Sequence, residues 1–200
     1  HKNSIPESLH MAEIYFIRHG ETLWNKERRY QGQSDVALSR RGRDQVLRIK
    51  PFFEELKPKF CFASDLLRAK ESAELLFGGE IFLDKELREI NLGSLEGTLY
   101  SSFDFYTHDE HEPIFGGETI SEAKERIVSF TERIAAVDDK IAVVTHGALI
   151  LLLLSHIANK KPSEMKLEIS NCSVTKIVAL PVHNDFNQRF SISYIGKRYV

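Results

Sequence analysis

Two segments of this sequence share one layout, in which a short apolar strand ends in a His-Gly pair. The first reads Ile14-Tyr-Phe-Ile-Arg-His-Gly-Glu-Thr22, and the second reads Lys140-Ile-Ala-Val-Val-Thr-His-Gly147. Runs of β-branched and aromatic residues that stop at a turn signal are typical of buried strands. In open α/β sheets, ligands bind just beyond the carboxyl ends of such strands. If the two strands are neighbours in a parallel sheet, His19 and His146 meet at its edge.

Two arginines are expected near these histidines. Arg18 directly precedes His19, and Arg68 falls in the first turn of a helix that follows a strand at Phe60 to Ala63. The positive end of the helix dipole disfavours a cation in a first turn, so Arg68 hints at a neighbouring anion. A single His-Gly pair is more often an ordinary strand-to-turn junction. The prediction of a site therefore depends on the repeated layout.

The rest of the chain alternates strands with helices. Alternation of this kind predicts a three-layer α/β/α sandwich with a largely parallel central sheet. Helices are predicted from the N-cap Ser39 with a kink or break at Pro51, from the N-cap Asp65 through Phe77, from Glu118, and over 148–158. Further strands are predicted at 81–83, 172–180 and 189–196, with a turn at His183 before the last of them.

Length and composition limit the classes of protein to consider. We expect residues 1–10 to be a vector-derived or disordered leader, and 11–200 to be one domain. A net charge of −2 provides no basic field for nucleic acid, and the longest apolar run is too short to cross a bilayer. Cys61 and Cys172 lie far apart, which favours reduced thiols and a cytoplasmic protein.

Two histidines and two arginines at one sheet edge would form a cationic pocket suited to phosphoryl transfer. Arginine binds phosphate oxygens bidentately, and it lowers the pKa of a neighbouring histidine, which keeps that imidazole neutral and nucleophilic. The sequence contains no Gly-x-Ser-x-Gly, Walker or Gly-x-Gly-x-x-Gly motif, which argues against the corresponding hydrolases and nucleotide enzymes. The prediction is phosphoryl transfer through a phosphohistidine intermediate, at a pocket without a metal.

Segment 98–117 has a weak pattern and carries a group of acidic and histidine side chains. A metal site is one interpretation of the group, but no predicted strand or helix fixes its members. A solvated flap beside the site is the favoured interpretation. The group consists of Asp104, His108, Asp109, Glu110, His111 and Glu112.

In these residues the chain resembles the histidine phosphatase superfamily, also called the phosphoglycerate mutase-like family. Several motifs occur in the family's order, which makes chance similarity improbable. They are Arg18-His-Gly-Glu-Thr22; Asn25, Arg29, Gln31-Gly32, Asp35, Leu38-Ser39 and Gly42; Ser64-Asp-Leu-Leu-Arg-Ala69; Leu87-Arg-Glu89 with Gly93 and Glu96-Gly97; Thr145-His-Gly147; and Asn171-Cys-Ser173.

The resemblance implies a role for each position of the site. His19 would attack phosphorus, and Glu89 would protonate the leaving group, with Glu96 as the alternative acid. Water would then hydrolyse the phosphohistidine, with no metal and no cofactor. The phosphoryl oxygens would be held by Arg18, Arg68 and His146, and the substrate would be contacted by Asn25, Gln31 and Gly32.

The resemblance also favours one branch of the family. Phe115-Gly-Gly-Glu-Thr119 is similar to the phosphatase branch, which includes broad-specificity and α-ribazole phosphatases, and only 57 positions separate Glu89 from His146. The expected function is a metal-independent phosphomonoesterase (histidine acid phosphatase type) acting on a small phosphorylated metabolite. We expect neither nucleic acid nor a membrane as partner, and a homodimer stays open. The alternatives are a cofactor-dependent phosphoglycerate mutase and a non-catalytic phospho-ligand binding module.

Overall fold

A six-stranded sheet lies between helices in the computed structural model, which describes residues 11–101, 103–105, 107–137, 139–165, 167–180 and 186–199. The strand order is β3-β2-β4-β1-β5-β6, with the first four strands parallel, β5 antiparallel to β1, and β6 antiparallel to β5. The predicted α/β sandwich with a largely parallel sheet is therefore confirmed. The strands are β1 (Glu13–Arg18), β2 (Phe60–Ala63), β3 (Phe82–Leu83), β4 (Lys140–Thr145), β5 (Val174–Ala179) and β6 (Phe190–Lys197).

The helices surround this sheet. They are α1 (Leu23–Lys26), α2 (Arg40–Leu56), α3 (Leu67–Leu76), α4 (Ile120–Ile134), α5 (Gly147–Ile157), α6 (Pro162–Met165) and α7 (Phe186–Arg189), with 3₁₀ turns at Lys85–Leu87, Gly93–Leu95 and Ile114–Gly116. In the part of the chain that is described, no helix is long and apolar enough to cross a membrane.

Alternation along β1 builds the two sides of the core. Ile14 and Phe16 pack on the side of α4 and α5, whereas Tyr15 and Ile17 pack on the side of α2 and α3. The middle of α5, from Leu149 to Leu154, is buried at every position. Full burial of one such side chain contributes about 1.5–3 kcal/mol. This packing holds the amino end of α5, which carries the second His-Gly pair, at a fixed depth against the sheet.

The register of the central strands explains why the two His-Gly pairs meet. β1 and β4 are parallel neighbours, with Arg18 opposite Thr145 at their carboxyl ends. His19 and His146 each follow directly on these paired residues. The backbone N–H of His19 also donates to the carbonyl of Thr145 at 3.0 Å, which continues the ladder into the site.

The amino end of α2 agrees with the sequence prediction, whereas that of α3 differs. Ser39 caps α2 as predicted and accepts from the N–H of Gly42. At α3, however, Leu66 is the N-cap and makes no side-chain cap bond. Asp65 binds Arg88 instead, in a bidentate pair at 2.7 and 2.6 Å. A charge-assisted pair of that geometry outweighs a capping bond, which is worth about 1 kcal/mol.

The predicted break at Pro51 is wrong, because α2 continues through it to Leu56. Proline removes the hydrogen bond to the carbonyl four residues earlier, that of Leu47. Both residues are exposed, so water can bind this carbonyl. Ile49 and Phe53 are buried on either side of Pro51 and hold the two parts of the helix on the core.

Helix α4 begins two residues later than predicted. Thr119 is its N-cap and forms a capping box with Glu122. Glu118 lies outside the helix and accepts from Arg126 at 2.7 and 2.9 Å. The leader 1–10 and the turn at His183 fall outside the described residues, so both stay predictions.

Candidate active site

The rings of His19 and His146 lie side by side beyond the carboxyl ends of β1 and β4. Their centroids are 5.1 Å apart, and the ring planes are tilted by 59°. Both side chains are almost completely buried, with 2% and 0% of their surface exposed. Two imidazoles at this depth cannot both be charged at low cost, because burial disfavours the charged form of each.

The contacts of His19 leave its Nε2 available as a nucleophile. Its Nδ1 lies 2.7 Å from the carbonyl oxygen of Gly20, which can only accept, so Nδ1 carries the hydrogen. Burial lowers the pKa of His19 well below 6.5, and Arg68 and Arg18 lower it further. The ring is therefore neutral at pH 7, with its lone pair on Nε2. Asn171 donates to the His19 carbonyl at 3.0 Å and holds the backbone there.

His146 presents the opposite tautomer. Its Nε2 lies 2.9 Å from the hydroxyl oxygen of Ser64, which also accepts from the N–H of Leu66. The Ser64 hydroxyl can donate its hydrogen to Nε2, and in that tautomer the ring hydrogen is on Nδ1. That Nδ1 is buried without a hydrogen-bond partner. Burial lowers the pKa of His146 well below 6.5, and Arg68 adds to this effect, so Nδ1–H is a neutral donor.

Arg68 is buried and Arg18 is half-buried, and both are held by main-chain carbonyls. Arg68 donates to Ser34 and Gly32 at 2.8 and 2.7 Å, and Arg18 donates to Ile169 at 2.5 Å. Burial lowers the pKa of Arg68 to about 10, and burial also lowers the pKa of Arg18. Arg68 still carries its charge at neutral pH. The Nε of each arginine is buried without a partner.

Three buried donors of the site thus lack an acceptor: Arg18 Nε, Arg68 Nε and His146 Nδ1. Each unsatisfied buried donor costs about 1–3 kcal/mol, so their concentration beside one histidine calls for a ligand. Arg18, His19 and Arg68 line one cavity of about 180 Å³. An anion with several acceptor oxygens, such as a phosphoryl group, is the kind of ligand that guanidinium and imidazole donors bind.

Glu89 lines the same cavity and is the acidic side chain of its wall. Its two carboxyl oxygens accept from the N–H groups of Ile90 at 3.0 Å and Ala148 at 3.3 Å. Its own carbonyl accepts from Arg126 and from Gln33, each at 3.1 Å. Two side chains therefore fix the backbone at Glu89, and the N–H of Ala148 in the first turn of α5 orients its carboxyl group.

Glu96 has different hydrogen-bond partners from Glu89. One of its oxygens accepts from the N–H groups of Gln33 at 2.8 Å and Leu92 at 3.1 Å, and the other accepts from the Ser34 hydroxyl at 2.6 Å. Glu96 is not among the described residues that line the cavity. It holds the loop whose carbonyls bind Arg68. The geometry therefore favours Glu89 over Glu96 as the proton donor.

The residues expected to contact substrate also lie at the cavity, since Asn25, Gln31 and Gly32 line it. Thr22 ties the first two together: its N–H donates to Asn25 at 3.1 Å, and its hydroxyl donates to Gln31 at 2.8 Å. Gly32 has a φ of +49°, and a Cβ there would lie 2.1 Å from Glu96. Only glycine can therefore bring this carbonyl to Arg68.

Segment 98–117 borders the cavity and most of its described residues are exposed, as the interpretation of a solvated flap beside the site predicts. Its first half is bound to the loop after β1 by backbone bonds, including Tyr100 to Arg28 at 2.7 Å and Tyr30 to Thr98 at 3.0 Å. Tyr100, Phe103 and Phe105 then line the cavity. The sequence motifs did not identify these three aromatic residues as part of the cavity. The one available signal was the density of aromatic residues in an otherwise polar segment.

The acidic and histidine group in the second half of that segment does not converge. Glu110 pairs with Lys124 at 2.7 Å, and the His108 ring contacts the carbonyl of Glu112 at 3.0 Å. Within the residues that the structure describes, no three His, Cys, Asp or Glu side chains are placed to hold a metal ion. Cys61 and Cys172 are both buried free thiols.

Comparisons with known proteins agree with this geometry. The model of the histidine phosphatase superfamily, branch 1, matches residues 14–188, a span that includes both His-Gly pairs. A probable phosphoglycerate mutase GpmB from Erwinia tasmaniensis is 32% identical over 182 residues, which cover 84% of this chain and 85% of that protein.

Solved structures share the fold at lower identity. A mycobacterial glucosyl-3-phosphoglycerate phosphatase in complex with VO3 superposes with a TM-score of 0.78 at 24% identity, covering 92% of this chain and 98% of that chain. A putative alpha-ribazole-5'-P phosphatase from Escherichia coli superposes with a TM-score of 0.79 at 20% identity, covering 94% of this chain and 98% of that chain.

Proposed function

This chain belongs to the histidine phosphatase superfamily, branch 1, and on that premise we propose that it is a metal-independent phosphomonoesterase for small phosphorylated metabolites. One observation carries the proposal. Three partnerless buried donors, from Arg18, Arg68 and His146, stand beside a neutral His19 whose Nε2 is free. That set offers both a nucleophile and the hydrogen bonds that a phosphoryl group needs during transfer.

In the first step, Nε2 of His19 attacks phosphorus and forms a P–N bond. The P–O bond to the leaving group breaks, and Glu89 gives its proton to the leaving oxygen. The charge on the three remaining phosphoryl oxygens is met by the donors of Arg18, Arg68 and His146. The arginine side chains need not move in the transition state, because main-chain carbonyls already hold them in place.

In the second step, water attacks the phosphohistidine. Glu89, now a carboxylate, accepts a proton from that water as it attacks phosphorus. The P–N bond breaks, inorganic phosphate is released, and His19 returns to its neutral form with the hydrogen still on Nδ1. One carboxyl group therefore serves first as acid and then as base.

A phosphoglycerate mutase is the second candidate, and the printed name of the Erwinia relative favours it. Both activities share the first step, and they differ in whether water or a second hydroxyl accepts the phosphoryl group. A pure binding module is disfavoured, because binding requires neither the free lone pair of His19 nor an acid such as Glu89.

The test is a panel of phosphate monoesters that includes 3-phosphoglycerate, incubated with the full chain in excess chelator. We expect free phosphate to be released at the same rate with and without chelator, because arginines and histidines, rather than carboxylates, form the anion pocket. Conversion of 3-phosphoglycerate to its 2-isomer without phosphate release would support the mutase. Loss of all turnover in chelator, restored by one metal, would contradict the proposal.

His146→Ala should lower kcat by roughly 10²-fold or more, as the loss of an oxyanion donor does. The steady-state rate should be compared with that of His111→Ala, whose ring is exposed and is not among the described side chains that line the cavity. Thermal unfolding of both variants should resemble that of the parent chain. Unchanged turnover in a folded His146→Ala chain would show that this histidine is structural.

A further inference from the structure

The cavity has two chemically different parts. Its floor carries the phosphate-directed groups described above. Its wall is apolar and aromatic and faces the space that a leaving group must occupy. We call it the aromatic wall; it consists of Tyr30, Ile90, Leu92, Tyr100, Phe103 and Phe105.

Ring contacts and hydrogen bonds among its own residues hold the aromatic wall in place. The ring of Tyr30 lies 4.8 Å from that of Tyr100 and 6.2 Å from that of Phe103. The Tyr30 hydroxyl accepts from the N–H of Ser101 at 3.2 Å and donates to the carbonyl of Phe103 at 3.5 Å. Tyr100 nevertheless stays 46% exposed. Apolar surface that is both fixed and exposed can be buried by a ligand with little ordering cost.

The described lining of the cavity carries positive charge only on the side chains of the phosphoryl site. Among the described residues that line the cavity, the cations are Arg18 and Arg68, and both are committed to carbonyls and to the phosphoryl site. Arg28 lies outside the lining, with its guanidinium carbon 5.9 Å from the centroid of Tyr100. A carboxylate on the leaving group would therefore sit against aromatic carbon and near Glu89, and the described residues that line the cavity offer it no cation beyond those of the phosphoryl site.

We propose that the leaving group of the preferred substrate is an uncharged apolar or aromatic alcohol. Phosphorylated carboxylic acids, including phosphoglycerates, are then poor substrates. This inference depends on the proposed phosphatase function and adds the substrate class to it. It also separates the two candidate functions, since a phosphoglycerate mutase must hold a carboxylate close to the phosphoryl group.

The experiment compares benzyl phosphate with 4-carboxybenzyl phosphate and with its neutral amide, 4-carbamoylbenzyl phosphate. All three leave as benzylic alcohols, so the chemistry of the P–O bond is matched. We expect kcat/KM for the carboxylate to be about 10²-fold lower than for benzyl phosphate, and the amide to lie near the benzyl ester. Equal values for the carboxylate and the benzyl ester would overturn the inference.

Variants in the aromatic wall test whether these residues cause the preference for an uncharged leaving group. Phe103→Ala should raise KM for benzyl phosphate about tenfold and change KM for ethyl phosphate little. Leu99→Ala is the matched control, since Leu99 lies in the same segment, is 58% exposed and does not line the cavity. Tyr100→Arg should raise kcat/KM for 4-carboxybenzyl phosphate at least tenfold. A gain of this kind cannot come from partial unfolding.

Binding measurements keep this inference separable from the catalytic proposal. Benzylphosphonate and 4-carboxybenzylphosphonate are not hydrolysed, and calorimetry gives their Kd for the parent chain. Phosphate release from no ester, together with tighter binding of benzylphosphonate, would overturn the phosphatase proposal and support the preference for apolar groups. Phosphate release together with equal or tighter binding of the carboxylated phosphonate would overturn the preference alone.

Discussion

His19→Ala is expected to lower kcat for every phosphate monoester by on the order of 10⁴-fold or more. No other described side chain in the cavity offers a neutral imidazole nitrogen with a free lone pair. Removal of a covalent nucleophile costs far more than removal of one hydrogen-bond donor. The matched measurement is the trapping of phosphorylated protein after an alkaline quench, a condition in which a P–N bond survives. The parent chain should carry the label, and His19→Ala should not.

The pH dependence of the His19 ring gives an independent check. Because burial, Arg68 and Arg18 lower the pKa of His19, its neutral form should persist as the pH falls through 6.5. Nitrogen NMR of the ring should show Nδ1–H and a bare Nε2 over that range. His111, which is exposed, serves as the internal comparison. A label retained by His19→Ala, or a His19 ring already charged at pH 7, would contradict its role as the nucleophile.

The sequence predicts the centre of this site well because the signals are local. Each His-Gly pair follows its own strand directly, so strand pattern alone places His19 and His146 at one edge once the strands are neighbours. Arg68 was predicted as a site residue because the helix dipole disfavours a cation in the first turn of a helix. In the structure, Arg68 donates to the carbonyls of Gly32 and Ser34, and its Nε is directed to no protein acceptor.

The misassigned features depend on contacts between residues distant in sequence. Asp65 resembles an N-cap in sequence, but its actual partner is Arg88, which lies on the connection after β3. Tyr100 and Phe103 reach the cavity because their segment pairs with the loop after β1. Propensity within either segment does not encode that pairing. Glu89 and Glu96 are likewise indistinguishable by composition; the family resemblance favours Glu89 as the acid, and in the structure Glu89 lines the cavity whereas Glu96 does not.

Glu89→Gln is expected to have an effect that depends on the leaving group. Glutamine keeps the shape of the side chain and an oxygen for one of the N–H groups of Ile90 and Ala148, but its amide nitrogen cannot accept from the other, and it has no acidic proton to donate. An alkoxide is a poor leaving group and needs that proton, whereas nitrophenolate leaves without it. We expect kcat/KM to fall by roughly 10²–10⁴-fold on alkyl phosphates and by less than about tenfold on p-nitrophenyl phosphate.

Glu96→Gln is the matched control for this experiment, because the same change is made on a carboxyl group that does not line the cavity. Its oxygens hold Gln33 and Ser34, so its replacement loosens the loop that binds Arg68. Arg68 contacts the phosphoryl group whatever the leaving group is, so this variant should lose activity equally on both substrates. Equal losses on both substrates in Glu89→Gln would mean that Glu89 positions the site, and the source of the proton would then have to be sought elsewhere in the cavity.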